Sequence, residues 1–174
     1  ADNTLKNIAE RIQTDGLGVV QRQRLSQLMP RNAVDVAGLQ GLFIYDENGN
    51  WVANSFTQTQ STKHNSDRDY FIWHRDNASA AVHIGSIVAS RTTGDLIVPI
   101  SRRLNYPDGR FAGVVLATVP VAYFQSFFER LDVDDKGVIF LALGNGDLLA
   151  RRPTIEKLMT TNLGVITGKR IGHG

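Results

Sequence analysis

The chain predicts an α+β fold, one five-stranded antiparallel sheet with helices before, within and after it. Three observations carry this prediction. Leu5, Ile8 and Ile12 recur at helical spacing near the amino end. From residue 42 onward, short apolar runs alternate with turn signals, as hairpins require. Two later segments, 67–76 and 121–131, return to helical periodicity. Helices segregated around a run of hairpins form the α+β pattern.

The elements follow in order. Residues 2–15 make the first helix, interrupted by Gly16 and Gly18. A second helical stretch runs from Val19 to Met29, where Pro30 closes it, and Asn32 to Val36 add one short turn. Leu42–Tyr45 is a strand, Asp46–Asn50 an Asn-Gly turn and Trp51–Ser55 the returning strand. A polar loop, 57–65, leads into the helix 67–76. Strands over 82–91, 96–104 and 110–120 are joined by turns at Thr92–Asp95 and Asn105–Gly109. Val121 to Leu131, with Tyr123, Phe124, Phe127 and Phe128, forms the closing aromatic helix.

Composition excludes several classes of function. The 174 residues are 42% hydrophobic and 21% charged, enough for a real core and unlike a disordered chain. The net charge is +2 and the basic residues are scattered, so nucleic acid is not an expected partner. With no cysteine, thiol catalysis, disulfides and Cys-based zinc sites are excluded. No stretch of eighteen apolar residues and no signal-peptide pattern is present. The chain opens on helix-forming sequence without Met, as a domain cut from a longer protein would.

An internal repeat emerges when two hairpins are aligned. Residues 42–55 (LFIYDENGNWVANS) match 139–152 (IFLALGNGDLLARR), with Phe, Asn, Gly and Ala at the same places, 97 positions apart. Asn-Gly hairpins resemble one another in general, which accounts for part of the match. The counterpart of Arg68 would be Val165, so the second copy lacks that residue. The chain divides into a helical segment (1–34), a first lobe (35–132) and the start of a divergent or truncated second lobe (133–174).

The window Ser66–Arg75 (SDRDYFIWHR) concentrates anion-binding and stacking side chains. Ser66 is a suitable N-cap, with Asp67 and Asp69 in the first turn where the helix dipole favours acids. At helical spacing Arg68 and Arg75 share one side, and Tyr70, Trp73 and His74 another. Two readings are open. In one, the aromatics are core and the charges solvated. In the other, a guanidinium beside an aromatic wall at a helix start receives a small anion, above all a carboxylate.

The order of motifs resembles the first lobe of a double Cache domain, also called a PDC sensor domain. The motifs are the leading helix, the Asn-Gly hairpin, Asp67-Arg68-Asp69-Tyr70-Phe71, Ser90-Arg91-Thr92-Thr93-Gly94, Pro99–Leu104, Asp108–Val115 and the helix after Tyr123-Phe124. The resemblance covers about 35–135, and 136–158 reads like the opening of a second lobe. The similar subgroup precedes diguanylate cyclases and sensor histidine kinases. It implies a PAS-like sheet with a long N-terminal helix, held outside the cytoplasmic membrane between two transmembrane helices. It further implies a ligand between the sheet and the helix bearing the Arg-x-aromatic-aromatic motif.

In amino-acid-sensing members that Arg, followed by Trp and Tyr, holds the ligand carboxylate, and here Arg68, Tyr70 and Phe71 stand there. The acid that those members use for the amino group is replaced by Thr118, and the aromatic five residues before the Arg by Lys63. An ammonium group buried without a counter-charge is costly, so the expected ligand is an organic acid. Arg91 offers a second cation or is a surface residue at a hairpin mouth; Ser101 is a neutral donor; Trp73 and His74 lie one turn on, Trp73 as core or pocket wall.

The expected function is therefore periplasmic sensing of a small anionic ligand by a membrane-anchored bacterial receptor. The alternative is a dimerisation or protein-interaction module without a small ligand, pairing through the N-terminal helix as a homodimer. No catalytic residue, metal or cofactor is expected. His64, His74, His83 and His173 lack metal spacing, and neither a G-x-S-x-G elbow nor a phosphate loop appears.

Overall fold

The computed structural model describes residues 1–34, 36–56, 64–132 and 137–153. The parts of the expected loop at 57–63, with Lys63, and the segment containing Val165 and His173 lie outside them. The chain divides into two compact units, Ala1–Gly85 with Pro99–Val119, and Ser86–Val98 with Pro120–Gly174.

The first unit is built on helices α1 (Asp2–Asp15) and α2 (Val19–Val34), strands β1 (Gly41–Asp46) and β2 (Trp51–Asn54), helix α3 (Asp69–Asp76) and strand β3 (His83–Ile84). Most of β5 (Leu96–Asn105) and β6 (Phe111–Pro120) also belongs to it. The sheet order is β2-β1-β6-β5-β3, with β4 (Val88–Ala89) beside the beginning of β5. Strand β1 is antiparallel to β2 and β6, and β3 and β4 are antiparallel to β5.

Three expected boundaries move. Pro30 lies inside α2 rather than ending it. The residue that a normal residue 30 would bond, Ser26, is solvent-exposed, so its carbonyl can be hydrated and the helix continues. The strand expected over 82–91 is two short strands, which brings the sheet to six strands. Its pairing runs on to Gly85, whose N–H donates to Pro99 O at 2.9 Å. Beyond that point the Ile87 N–H turns to the Asp147 carboxylate, at 3.3 Å. Ser66 is not the cap of α3; that position belongs to Arg68.

Alternation along the strands separates two cores. On one face Leu42, Ile44, Val52, Ala53, Leu104, Val115 and Ala117 pack with Leu5, Ile8, Ile12, Leu25 and Met29 of the two long helices. The apolar stripe of α1 is thus buried against the protein's own sheet. On the other face Phe43, Tyr45, Val114 and Leu116 pack with Tyr70 and Phe71 of α3, flanked by Trp51, Phe56 and Phe111. Ala112 and Val114 should share a face by spacing but lie in opposite cores. The strand slips between them at Gly113, where φ is 136°.

In the second unit, α4 (Val121–Glu129) packs on β8 (Leu148–Arg152), which forms a hairpin with β7 (Ile139–Ala142). Arg152 Nη1 donates to Glu129 O at 2.8 Å and to Leu131 O, closing the carboxyl end of α4. The repeat extends to hydrogen-bond detail. Ile44 pairs with Ala53 and Leu141 with Ala150, and each hairpin has a register shift at the next residue. Gly49 donates to Asp46 O and Asp46 to Asn50 O; Gly146 donates to Leu143 O and Leu143 to Asp147 O. Every one of these positions is offset by 97.

Candidate ligand-binding site

Helix α3 is held over the sheet from both ends. Before it, Asn65 donates its backbone N–H to Gly49 O at 3.0 Å, and its carbonyl accepts the Arg68 N–H at 3.1 Å. This turn ties the amino end of α3 to the β1–β2 hairpin and delays the helix to Asp69. At the other end, Arg103 of β5 reaches across. Its Nη1 donates to the carbonyl oxygens of His74, of Arg75 at 3.3 Å and of Asn77 at 3.2 Å. A cation on these outward-facing carbonyls satisfies acceptors that the helix itself cannot. Desolvation pushes the Arg103 pKa down, and its guanidinium lies 4.7 Å from the Phe111 ring centroid.

Arg68 stands at the N-cap of α3, half-buried, and among the described residues no side chain caps that helix end. Its carbonyl accepts the N–H groups of Phe71 at 2.9 Å and Ile72 at 3.0 Å, so the backbone beneath the guanidinium is fixed. Tyr70 is buried, its hydroxyl accepting from Asn65 Nδ2 at 2.7 Å and its ring 6.4 Å from that of Tyr45. Phe71 is buried edge-on against Phe111, 5.5 Å between centroids. Both side chains belong to the core on that face of the sheet, with Phe43, Tyr45, Val114 and Leu116.

One turn on, the structure brings together Trp73, His74 and Ser101, and adds His83. His74 is fully buried, with Nε2 3.0 Å from Ser101 Oγ. Ser101 in turn donates to His83 O at 3.3 Å, so the hydroxyl accepts from a protonated His74 Nε2. That leaves His74 Nδ1 as a buried acceptor with no partner among the described residues. Burial first, then the nearby charge of His83, lowers the His74 pKa from 6.5 to about 4, and the imidazole is neutral at pH 7. Trp73 stacks on His83 at 4.4 Å and meets His74 edge-on at 4.8 Å.

Thr118 is buried on β6 opposite Gly41, and its hydroxyl donates to Gly41 O at 3.4 Å. It shares the α3-side face of the strand with Leu116 and Val114, and supplies no charge there. Arg91 belongs to the second unit, half-buried in the turn between β4 and β5. Among the described residues, no group of three or more His, Cys, Asp or Glu is placed to hold a metal.

The roles of Asn65, Trp51, His83 and Arg103 were not legible in the sequence. His83 becomes a neighbour of Ser101 only through the β3–β5 register, and Arg103 meets α3 only through the placement of the helix. The Asn65–Gly49 contact left a faint mark: Gly49 has φ 80°, and a Cβ there would sit 2.5 Å from Ser66 N.

No family model matches the chain, and no curated protein sequence matches it. Among solved structures, it is 30% identical to the extracellular domain of rpHK1S-Z16, a protein assigned as a histidine kinase. That match covers 97% of this chain and 68% of that one, with a TM-score of 0.81. An extracellular ligand-binding receptor from Desulfohalobium retbaense is 18% identical over 99% of this chain and 31% of its own, with a TM-score of 0.77. The ligand-binding domain of the Pseudomonas fluorescens chemoreceptor CtaA, solved with L-alanine, is 13% identical. It covers 98% of this chain and 70% of its own, with a TM-score of 0.68. The last two share the fold; the chain spans about two thirds of the first relative and under a third of the second. These relatives are extracellular and ligand-binding domains, and no described helix is long and apolar enough to cross a membrane. With the six-stranded α+β sheet, the helix α3 on one face and the 30% identity to an extracellular domain, the chain belongs to the family of PDC-type (double Cache) extracytoplasmic sensor domains.

Proposed function

We propose that this chain senses a small anionic metabolite, an organic acid, in the periplasm, as part of a receptor anchored in the inner membrane. Its signal passes to a cytoplasmic output such as a histidine kinase or diguanylate cyclase. The observation that carries this reading is Arg68, half-buried at an amino helix end that no side chain caps, on a backbone fixed by Asn65, Phe71 and Ile72. A guanidinium and a helix amino terminus together favour a carboxylate. Thr118, spent on Gly41 O, offers an ammonium group no counter-charge.

The signal is a population shift. A ligand that binds one placement of α3 better than another moves the equilibrium by that difference in affinity. Because Arg103 and Ser101 bind α3 to β5, a displaced α3 carries β5 with it. The opposite face of β5 presents Leu104 to the core of α1 and α2, so the long helices register the change. The matched hairpins at 42–55 and 139–152 support reading 133–174 as the start of a second lobe, after the helical segment 1–34 and a first lobe at 35–132.

A thermal-shift screen of organic acids tests this. A ligand at 100 times its Kd stabilises by about 2.7 kcal/mol, several degrees for a domain of this size. The Arg68→Ala variant is expected to fold and to lose the ligand-dependent rise. The reading fails if no carboxylate raises the wild-type Tm.

A further inference from the structure

Among the described residues, three buried polar atoms lack a hydrogen-bond partner: His74 Nδ1, and, on the α3 face of the sheet, Asn65 Oδ1 and Trp51 Nε1. Asn65 is 4% exposed, and its Nδ2 donates to the Tyr70 hydroxyl at 2.7 Å. The atom left over is therefore the amide oxygen, which only accepts; the Trp51 indole only donates. Both atoms belong to one aromatic wall. Trp51 meets Tyr45 edge-on at 5.9 Å, Tyr45 lies 6.4 Å from Tyr70, and Tyr70 holds Asn65. Arg68 stands in the same turn as Asn65, its N–H bonded to the Asn65 carbonyl.

A buried acceptor and a buried donor left unpaired are unfavourable, and a ligand that carries the complementary groups relieves both. Building on the anion-binding reading above, we propose that the ligand class is a hydroxycarboxylate. Its hydroxyl donates to Asn65 Oδ1, its carboxylate faces Arg68, and the Trp51 indole donates to one of its oxygens. The neutral amide oxygen suits a hydroxyl. It does not replace the carboxylate that a buried ammonium group would need, so the corresponding amino acid is disfavoured.

Calorimetric titration of the whole chain with two matched pairs, lactate against propionate and malate against succinate, tests this. In at least one pair the hydroxy acid is expected to bind about tenfold tighter than its deoxy partner, the preference a site with an unpaired buried acceptor shows for a ligand that satisfies it. L-Alanine binds no better than propionate. Asn65→Ala brings the hydroxy acid down to its deoxy partner and leaves the latter unchanged. Tyr70→Phe removes the hydroxyl that orients the Asn65 amide and is expected to weaken the preference while the deoxy partner binds as before; where Asn65→Ala fails to fold, an undiminished preference in Tyr70→Phe overturns the role of Asn65. Equal binding within both pairs, as when water alone fills the site, overturns the hydroxycarboxylate and leaves the anion reading standing. Binding of none of the four acids overturns the hydroxycarboxylate, and the anion reading is overturned with it where the screen of organic acids also gives no rise in Tm.

Discussion

Replacing Gly113 by alanine is expected to destabilise the domain by about 3 kcal/mol or more, the range of strain combined with a backbone clash. A Cβ at this position would lie 1.9 Å from Tyr45 O, and φ is 136°, outside the regions that side-chain-bearing residues adopt. Relief would require β6 to move from β1, where Gly113 sits opposite Asp46. That movement would restore plain alternation and turn Val114 and Leu116 away from Tyr70 and Phe71. Gly94→Ala and Gly109→Ala are the controls. Both positions have positive φ, but nothing lies within 4 Å of the added carbon, so each costs about 1 kcal/mol. Urea denaturation of the three variants measures this; a Gly113→Ala loss no larger than the controls would contradict it.

Acidification from pH 7 to pH 4 is expected to remove up to about 3 kcal/mol of stability through His74 alone, at 1.36 kcal/mol for each pKa unit. The unfolded imidazole takes up a proton below its ordinary 6.5, whereas the folded one resists until about 4. Between those values the unfolded state binds more protons, so stability falls as the pH falls, and the loss is complete below about 4. The direction follows from the surroundings: His83, Arg103 and Arg102 are the charged or titratable neighbours that disfavour the cation, and Ser101 alone opposes them. His74→Gln keeps a donor for Ser101 and cannot be protonated. The difference between wild type and this variant should therefore shrink towards pH 4 from the His74 contribution at pH 7. Asp2, Asp76 and Asp108, each held below the usual carboxylate range first by a hydrogen bond from an arginine, act at lower pH and cancel in the comparison. Parallel stability curves for the two proteins from pH 7 to 4 would contradict the account.

The hairpins were legible because an Asn-Gly turn needs positive φ at glycine, and both Gly49 and Gly146 have it. The helices were legible by period, and so was the burial of Tyr70 and Phe71, whose bulk favours it. Boundaries failed where a distant group decided them. Ser66 had the chemistry of a cap, yet the packing of Asn65 and Ser66 against Gly49 starts the helix later, at Asp69. Nothing local to Ile87 announces that its N–H will meet Asp147. The same reason hid half of the candidate site. Arg68 announces itself by its neighbours in sequence, but Trp51, Asn65 and His83 matter only through partners that strand register and helix placement supply.

The most direct test of the account is a titration of 15N-labelled protein with lactate, followed by amide and Arg Nε chemical shifts. The account predicts saturable shifts centred on Arg68, Asp69 and Tyr70 at the amino end of α3 and on the Trp51 indole N–H, all lost in Arg68→Ala. Saturable shifts confined to residues away from α3 and Trp51, or unchanged in Arg68→Ala, would contradict it.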